Sequence, residues 1–205
     1  MSRPYYLSGA PRPELVGEPG LGWMRTPVMG NRPIPGLWGA DTGCYSPAGE
    51  RHFDLGYYLK WLARQDRDSC LFATAPDKVG DPVTTWLRSM PVLPRIRELG
   101  IRAALVGQDG LEERDVDWDQ LDCFFIGGTT DWKLGSAAAR LARAAKLEGK
   151  WLHMGRVNSR RRYEYAAHLG CDSVDGTFLA FGPRVNLPRL RSWLVRGPWE
   201  VPMRD

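Results

Sequence analysis

Cysteine is scarce and unpaired in this chain. Its four copies, Cys44, Cys70, Cys123 and Cys171, stand singly, with no C-x-x-C among them. That spacing excludes a local zinc knuckle, which needs close ligand pairs, and it argues against a disulfide framework. Cys70, Cys123 and Cys171 lie at or beside apolar runs, where a thiol behaves as a small buried apolar group. Histidine is scarcer still: His52 and His168 are isolated on helical segments, and His153 reads as a structural residue in a strand, alternating away from Met154. No metal is expected. No apolar run approaches the roughly 18 residues of a membrane span, and Met1-Ser2-Arg3-Pro4-Tyr5-Tyr6 lacks the apolar core of a signal peptide. The expectation is a cytoplasmic protein with no membrane partner. Repeats and low-complexity tracts are absent too. The net charge is only +4, so its distribution matters more. Arg156, Arg160, Arg161 and Arg162 cluster in one place, and Arg184, Arg189, Arg191 and Arg196 in another. Such clusters fit a polyanion such as nucleic acid, or equally a solvated helix face.

With 205 residues, 43% of them hydrophobic, the chain can bury one core, and a single domain over 1–205 is expected. Residues 1–36 are rich in Pro and Gly and read as an irregular segment packed on that domain, apart from a strand at 5–8. A second strand spans 37–40. From residue 53 onward, strands and helices alternate. Helix 53–65 places Leu55, Tyr58, Leu59 and Leu62 on one face. Strand 70–74 precedes a helix over 84–99, interrupted near Pro91 and Pro94. Strands 101–106 and 123–126, helix 133–147, strand 151–154, helix 159–169, strand 172–174 and a closing helix 187–195 complete the order. Repeated β-then-α units argue for a parallel sheet with helical crossovers. Seven strands suggest a TIM-like (β/α)8 barrel, compact or slightly reduced, since such barrels typically take about 250 residues. An open doubly wound sheet stays compatible, because periodicity does not see closure.

Small or polar clusters follow most strands: Asp41-Thr42-Gly43-Cys44-Tyr45, Asp77-Lys78, Gly107-Gln108-Asp109-Gly110, Gly127-Gly128-Thr129-Thr130, Gly155-Arg156 and Asp175-Gly176. Each alone is ordinary turn chemistry. In a parallel barrel, however, all of them share one rim, where barrel enzymes keep their chemistry. Three carboxylates (Asp41, Asp77 and Asp175), one amide and a diglycine would then surround one pocket.

This ordered set resembles the guanine transglycosylases, the queuine and archaeosine tRNA-ribosyltransferase family, which exchange guanine for a 7-deazaguanine in a polynucleotide. Asp41-Thr42-Gly43-Cys44-Tyr45 is similar to the family's Asp-Ser-Gly-Gly-Phe, and Gln108-Asp109-Gly110 to its Gln-Gly-Gly. Gly127-Gly128-Thr129 matches Gly-Gly-Leu, and Met154-Gly155-Arg156-Val157 matches Met-Gly-Val-Gly. Gly170-Cys171-Asp172-Ser173-Val174-Asp175-Gly176-Thr177 resembles Gly-x-Asp-x-Phe-Asp-Cys-Val. The matches span residues 37–177. The resemblance implies that Asp175 attacks the anomeric carbon and forms a sugar ester, while Asp41 serves as general acid and base. It implies that Asp77 reads the guanine N–H groups, and that Gln108 with the amides of Gly127, Gly128 and Thr129 meets the base carbonyl. Tyr45 and Met154 would sandwich the purine. Arg156, Arg160, Arg161 and Arg162 would hold phosphates, Trp132 could stack on a neighbouring base, and Lys133 either contacts a phosphate or begins a helix.

Cleaving an N-glycosidic bond develops positive charge on the sugar, which a carboxylate stabilises or traps. The departing base needs donors or a proton. No cofactor is called for. The substrates would be a nucleic acid and a free 7-deazaguanine base. The C-x-C-x-x-C…H zinc pattern of the tRNA enzymes has no counterpart here, and Val174 stands where an aromatic is usual. A compact member acting on DNA is therefore expected over one acting on tRNA, with a homodimer or a partner subunit able to supply further nucleic-acid contacts. A hydrolase on the same scaffold and a non-catalytic nucleic-acid-binding homologue are the alternatives.

Overall fold

Short apolar runs, each closed by glycine or a polar residue, become the staves of a barrel. In the computed structural model, which describes residues 3–10, 12–27, 34–44 and 47–195, eight parallel strands pair in chain order and close on themselves. They are β1 (Tyr5–Ser8), β2 (Leu21–Arg25), β3 (Trp38–Ala40), β4 (Cys70–Thr74), β5 (Ala103–Gly107), β6 (Cys123–Ile126), β7 (Trp151–Met154) and β8 (Ser173–Gly176). The TIM-like (β/α)8 architecture is thus observed. Closure is direct, with β1 pairing β8 from Tyr5↔Ser173 to Ser8↔Gly176.

The sequence pattern does not mark β2. Its residues, Leu-Gly-Trp-Met-Arg, lie in the Pro- and Gly-rich stretch, yet they pair with both β1 and β3. The segment 1–36 therefore supplies two staves and is not merely an irregular cover. Gly22 breaks the alternation for a steric reason: a Cβ there would lie 2.5 Å from Leu37 O and 2.7 Å from Leu7 Cδ2.

The helices are α1 (Pro47–His52), α2 (Leu55–Ala63), α3 (Pro82–Ser89), α4 (Leu93–Arg97), α5 (Thr130–Lys133), α6 (Ser136–Leu147), α7 (Arg160–His168) and α8 (Pro183–Val195). Their starts follow capping chemistry, with Asp54, Asp81, Thr129 and Ser159 each accepting from a backbone N–H in the first turn. The expected break near Pro91 separates α3 from α4. The single helix expected over 133–147 is divided at Gly135. The outer ring is reduced where the chain economises: a 3-10 turn, Pro13–Leu15, crosses from β1 to β2, and two 3-10 turns, Leu111–Glu113 and Trp118–Gln120, cross from β5 to β6.

Strand alternation sorts the core into two layers. Leu7, Met24, Phe72, Val106 and Phe125 fill the barrel. Tyr6, Trp38, Phe124, Ile126, Leu152, Met154 and Val174 face the helices, meeting Leu141, Ala145 and Tyr163. Among the described residues no helix is long and apolar enough to cross a membrane.

Candidate active site

The C-terminal ends of the strands open on a cavity of about 450 Å³, lined by Asp41, Val106, Gln108, Phe125, Gly127, Gly128, Gly155, Arg156, Asn158, Arg162 and Asp175 among others. Sites for small organic ligands have volumes of about 300–1,000 Å³. Asp41 follows β3, while Asp175 lies inside β8, which ends at Gly176, two residues later than the sequence pattern suggests. In an eight-strand ring β3 stands opposite β7 and three places from β8, so the two carboxylates face the cavity from opposing walls.

On the Asp41 wall, Oδ1 accepts the Gly43 N–H at 2.6 Å in a turn that needs the φ of 81° at Gly43. Withdrawal from water raises the Asp41 pKa above the usual carboxylate value. The negative charge of Asp175 adds to that rise, against the Gly43 N–H. Asp77, after β4, is pushed up to about 7, first by burial and then by the charge of Asp41. Gln108, 2% exposed, ties the two strand ends together. Its Nε2 donates to Asp77 Oδ2 at 2.8 Å, and its Oε1 accepts from Gly80 N at 3.1 Å. A primary amide carries two N–H donors, so one remains for a ligand.

The opposite wall is built on β6 to β8. Asp175 Oδ1 lies 3.0 Å from His153 Nε2, and Oδ2 lies 3.5 Å from the Arg156 N–H. His153 is fully buried and points into the barrel, where its ring sits 4.7 Å from Phe72 and 4.4 Å from Phe125. Burial lowers its pKa below the ordinary value, against the pull of Asp175. The sequence reading missed this contact. Its signal was the pairing of two polar inward positions on neighbouring strands: Ser173 and Asp175 share one face of β8, and His153 pairs Ser173 in register.

Several expected site residues lie elsewhere. Met154, 0% exposed, sits in the layer between sheet and helices, because alternation along β7 sends it outward when His153 turns inward. It cannot sandwich a base in the cavity. Trp132, 9% exposed, donates from Nε1 to Glu112 Oε2 at 2.8 Å and fills the space over Gly107 and Gly128, so it is not free to stack on a base. Lys133 is 0% exposed and donates to Gly155 O at 2.6 Å. Burial, then the charge of Arg156, pushes it down to about 7. It props the β7 turn from beneath and does not meet phosphate. Thr129 is turned to solvent and caps α5, with its N–H and hydroxyl donated to Asp109 at 2.6 and 2.5 Å. Tyr45 lies outside the described residues.

The diglycine turn also differs in detail from the expectation. The Gly127 N–H is committed to Gly107 O and that of Thr129 to Asp109, which leaves only the Gly128 amide to meet a ligand. Gly128 adopts a φ of 47°, and a Cβ there would come within 2.4 Å of the Trp132 ring. The turn's carbonyls at Gly127 and Gly128 accept from the Arg156 guanidinium.

Of the basic cluster, Arg156 and Arg162 border the cavity, and Arg162 Nη1 donates to Arg156 O at 3.3 Å. Arg160 is paired with Glu164 at 2.6 Å and Arg161 is exposed on α7. Neither lines the cavity. Asn158, which the sequence reading passed over, accepts from Thr177 N at 2.7 Å and closes the rim beside Asp175. Among the described residues no group of three His, Cys, Asp or Glu is placed to hold a metal ion. Comparison with protein-family models, with curated proteins and with solved structures finds no match, so the chemistry is read from these residues alone.

Proposed function

We propose that this chain is a guanine transglycosylase, a pentosyltransferase that exchanges guanine in a polynucleotide for a free 7-deazaguanine base through an aspartyl–sugar ester. The observation that carries the proposal is the pair of unequal carboxylates on opposing walls. Asp41 is held toward its protonated form, while Asp175 rests against a hydrogen-bond donor. Two carboxyl groups separated by environment into acid and nucleophile are what glycosidic displacement requires.

In the first half-reaction an oxygen of Asp175 bonds to C1′ as the C1′–N9 bond breaks. The electron pair leaves with guanine, and Asp41 supplies a proton to the departing base. In the second, N9 of the incoming base attacks C1′, its proton passes to Asp41, and Asp175 leaves as carboxylate. Gln108 and the Gly128 amide offer donors to the base carbonyl. Asp77 sits behind the cavity lining with Oδ2 taken by Gln108, which leaves Oδ1 as its acceptor for the guanine N–H edge. The apolar faces of Val106 and Phe125, neighbours on β5 and β6, give the base one packing wall. Arg156 and Arg162 at the rim give flanking phosphates a cationic edge.

The test is incubation with radiolabelled guanine and duplex DNA, single-stranded DNA or bulk tRNA, scored for incorporation. DNA is the expected acceptor, and Asp175→Asn is expected to abolish incorporation. Full exchange by Asp175→Asn would refute the mechanism. Release of base with abasic ends would replace exchange by hydrolysis. Binding without turnover in the parent chain would identify a non-catalytic homologue.

A further inference from the structure

Directly beneath Asp175 the barrel interior holds a line of polar groups that the exchange chemistry above does not use. Ser173 and Asp175 occupy the same face of β8, and His153 on β7 is the register partner of Ser173. Trp151 Nε1 lies 2.9 Å from Ser173 Oγ, Ser173 Oγ lies 2.8 Å from His153 Nδ1, and His153 Nε2 lies 3.0 Å from Asp175 Oδ1. We infer that Trp151, Ser173 and His153 form a directional hydrogen-bond chain that fixes one tautomer of His153, anchors Oδ1 of Asp175, and leaves Oδ2 as the atom that attacks the sugar.

The direction follows from counting hydrogens. An indole nitrogen can only donate, so Trp151 gives its N–H to Ser173 Oγ. The hydroxyl has a single proton, and its remaining partner is His153 Nδ1. That nitrogen therefore accepts and carries no proton. Buried in a wall of aromatic rings, the imidazole stays neutral, and its one proton must sit on Nε2. A carboxylate can only accept, so Nε2–H donates to Oδ1. No member of the chain has a second choice that leaves all four groups satisfied. The groups that face this ring are Asp175 in front, Phe72 and Phe125 on its faces, and the Lys133 charge more distantly.

The inference rests on the reading of Asp175 as nucleophile, and it adds a positioning role that the motif resemblance does not contain. Among the described residues Oδ2 meets the Arg156 N–H at a long 3.5 Å, and Asp175 borders the cavity, which turns the lone pairs of Oδ2 toward it. When Oδ2 bonds to C1′, Oδ1 becomes the ester carbonyl and still accepts from His153. When the incoming base displaces Oδ2, the electron pair of the C1′–Oδ2 bond returns to Asp175, and the hydrogen bond to Oδ1 strengthens as that charge reappears. His153 thus holds Oδ1 in place through both half-reactions and favours the departure of Asp175 in the second, without touching substrate.

The experiment has two arms on the full chain. Long-range 1H–15N correlation spectra are expected to show one His ring with Nε2 protonated and Nδ1 bare, assigned by its absence in His153→Gln. A ring protonated at Nδ1, or one averaging between tautomers, would overturn the chain. Kinetics form the second arm. A hydrogen bond to a charged group contributes enough to slow kcat about 10- to 100-fold when lost, and that fall is expected for His153→Phe with the KM for guanine unchanged. His153→Gln, which keeps a donor, is expected to recover most of the rate. Equal rates in all three proteins, or a change in KM alone, would refute the positioning role. Should the Phe variant not fold, the spectrum of the parent and the rate of the Gln variant decide. A parent with no exchange activity but the stated tautomer would leave the chain standing and remove the transglycosylase reading instead.

Discussion

Replacing Asp77 by Asn should make the protein more stable, and only above a particular pH. In the folded chain the Asp77 carboxyl titrates at about 7 instead of the ordinary 3.8, because burial and the neighbouring Asp41 both oppose its charge. Between those two values the unfolded chain gives up the proton while the folded chain keeps it. The folded state binds more protons in that window, so this group makes stability fall as pH rises from about 4 to about 7. The full gap corresponds to about 4 kcal/mol, and local relaxation reduces the expected effect to about 2–4 kcal/mol. Asn cannot ionise, yet its Oδ1 can still accept from Gln108 Nε2. Urea unfolding at pH 4 should therefore show parent and Asp77→Asn nearly equal. At pH 8 the variant should be ahead by the stated amount, and the difference should grow between. Asp41→Asn should narrow the window by removing the second cause. A pH-independent difference, or a parent more stable than the variant at pH 8, would refute the picture of coupled carboxylates at this mouth.

If Asp77 reads guanine as a carboxylate, base binding must expel its proton below pH 7, and the KM for guanine should rise up to about tenfold per pH unit as pH falls from 7 to 5; a flat profile rejects that role. Gly176→Ala should destabilise by about 2–4 kcal/mol, measured by chemical denaturation. Its Cβ would meet Asn158 Oδ1 at 2.4 Å and Tyr6 OH at 2.5 Å, displacing the acceptors of Thr177 N and Phe178 N. Arg156 has a φ of 60°, a conformation that costs a side chain about 1–2 kcal/mol. Arg156→Gly should therefore be more stable than Arg156→Ala by about 1 kcal/mol. Both should bind DNA more weakly than the parent, and equal melting points for the two variants would contradict the strain.

The alternation of strands and helices after residue 53 was legible because each stave is an apolar run bounded by turn residues, and the barrel follows from that order. The second stave was not legible, because Gly22 is demanded by Leu37 O and Leu7 and so spoils the pattern a strand normally shows. The rim was legible as a set of strand ends: Asp41, Gln108, Gly127, Gly128, Arg156 and Asp175 do border one cavity. Which way a side chain leaves its strand was harder to read. On β7 a shift of one position exchanges Met154 for His153, and the family pattern pointed to the wrong member of that pair. Trp132 and Lys133 show the other difficulty. A residue just past a strand end either reaches the mouth or folds back to support it, and that depends on the α5 turn set by the Thr129 cap and the break at Gly135. Neither is visible as periodicity.

The interior of the barrel shows why His153 belongs with the site and not with the core. Inward-facing Leu7, Met24, Phe72, Ala104, Val106, Cys123 and Phe125 on β1, β2, β4, β5 and β6 are apolar and pack as one cluster, whereas the inward positions of β7 and β8 carry Trp151, His153, Ser173 and Asp175. Placing polar groups in a water-excluded barrel is destabilising unless each finds a partner, and an all-apolar wall here would have met that requirement with less sequence specificity. The polar wall is satisfied only as a chain that ends on a carboxylate at the cavity. Removing Asp175 should therefore leave His153 Nε2–H without its acceptor at the bottom of the mouth. Asp175→Ala is then expected to lose stability by about 1–3 kcal/mol, while Asp175→Asn, whose Oδ1 still accepts, should lose activity with little change in stability. The contrast between those two variants, measured by urea unfolding beside the guanine-exchange assay, separates what the carboxylate does for the fold from what it does for the reaction. Equal destabilisation in both would mean that the negative charge, and not the accepting oxygen, is what the buried chain requires.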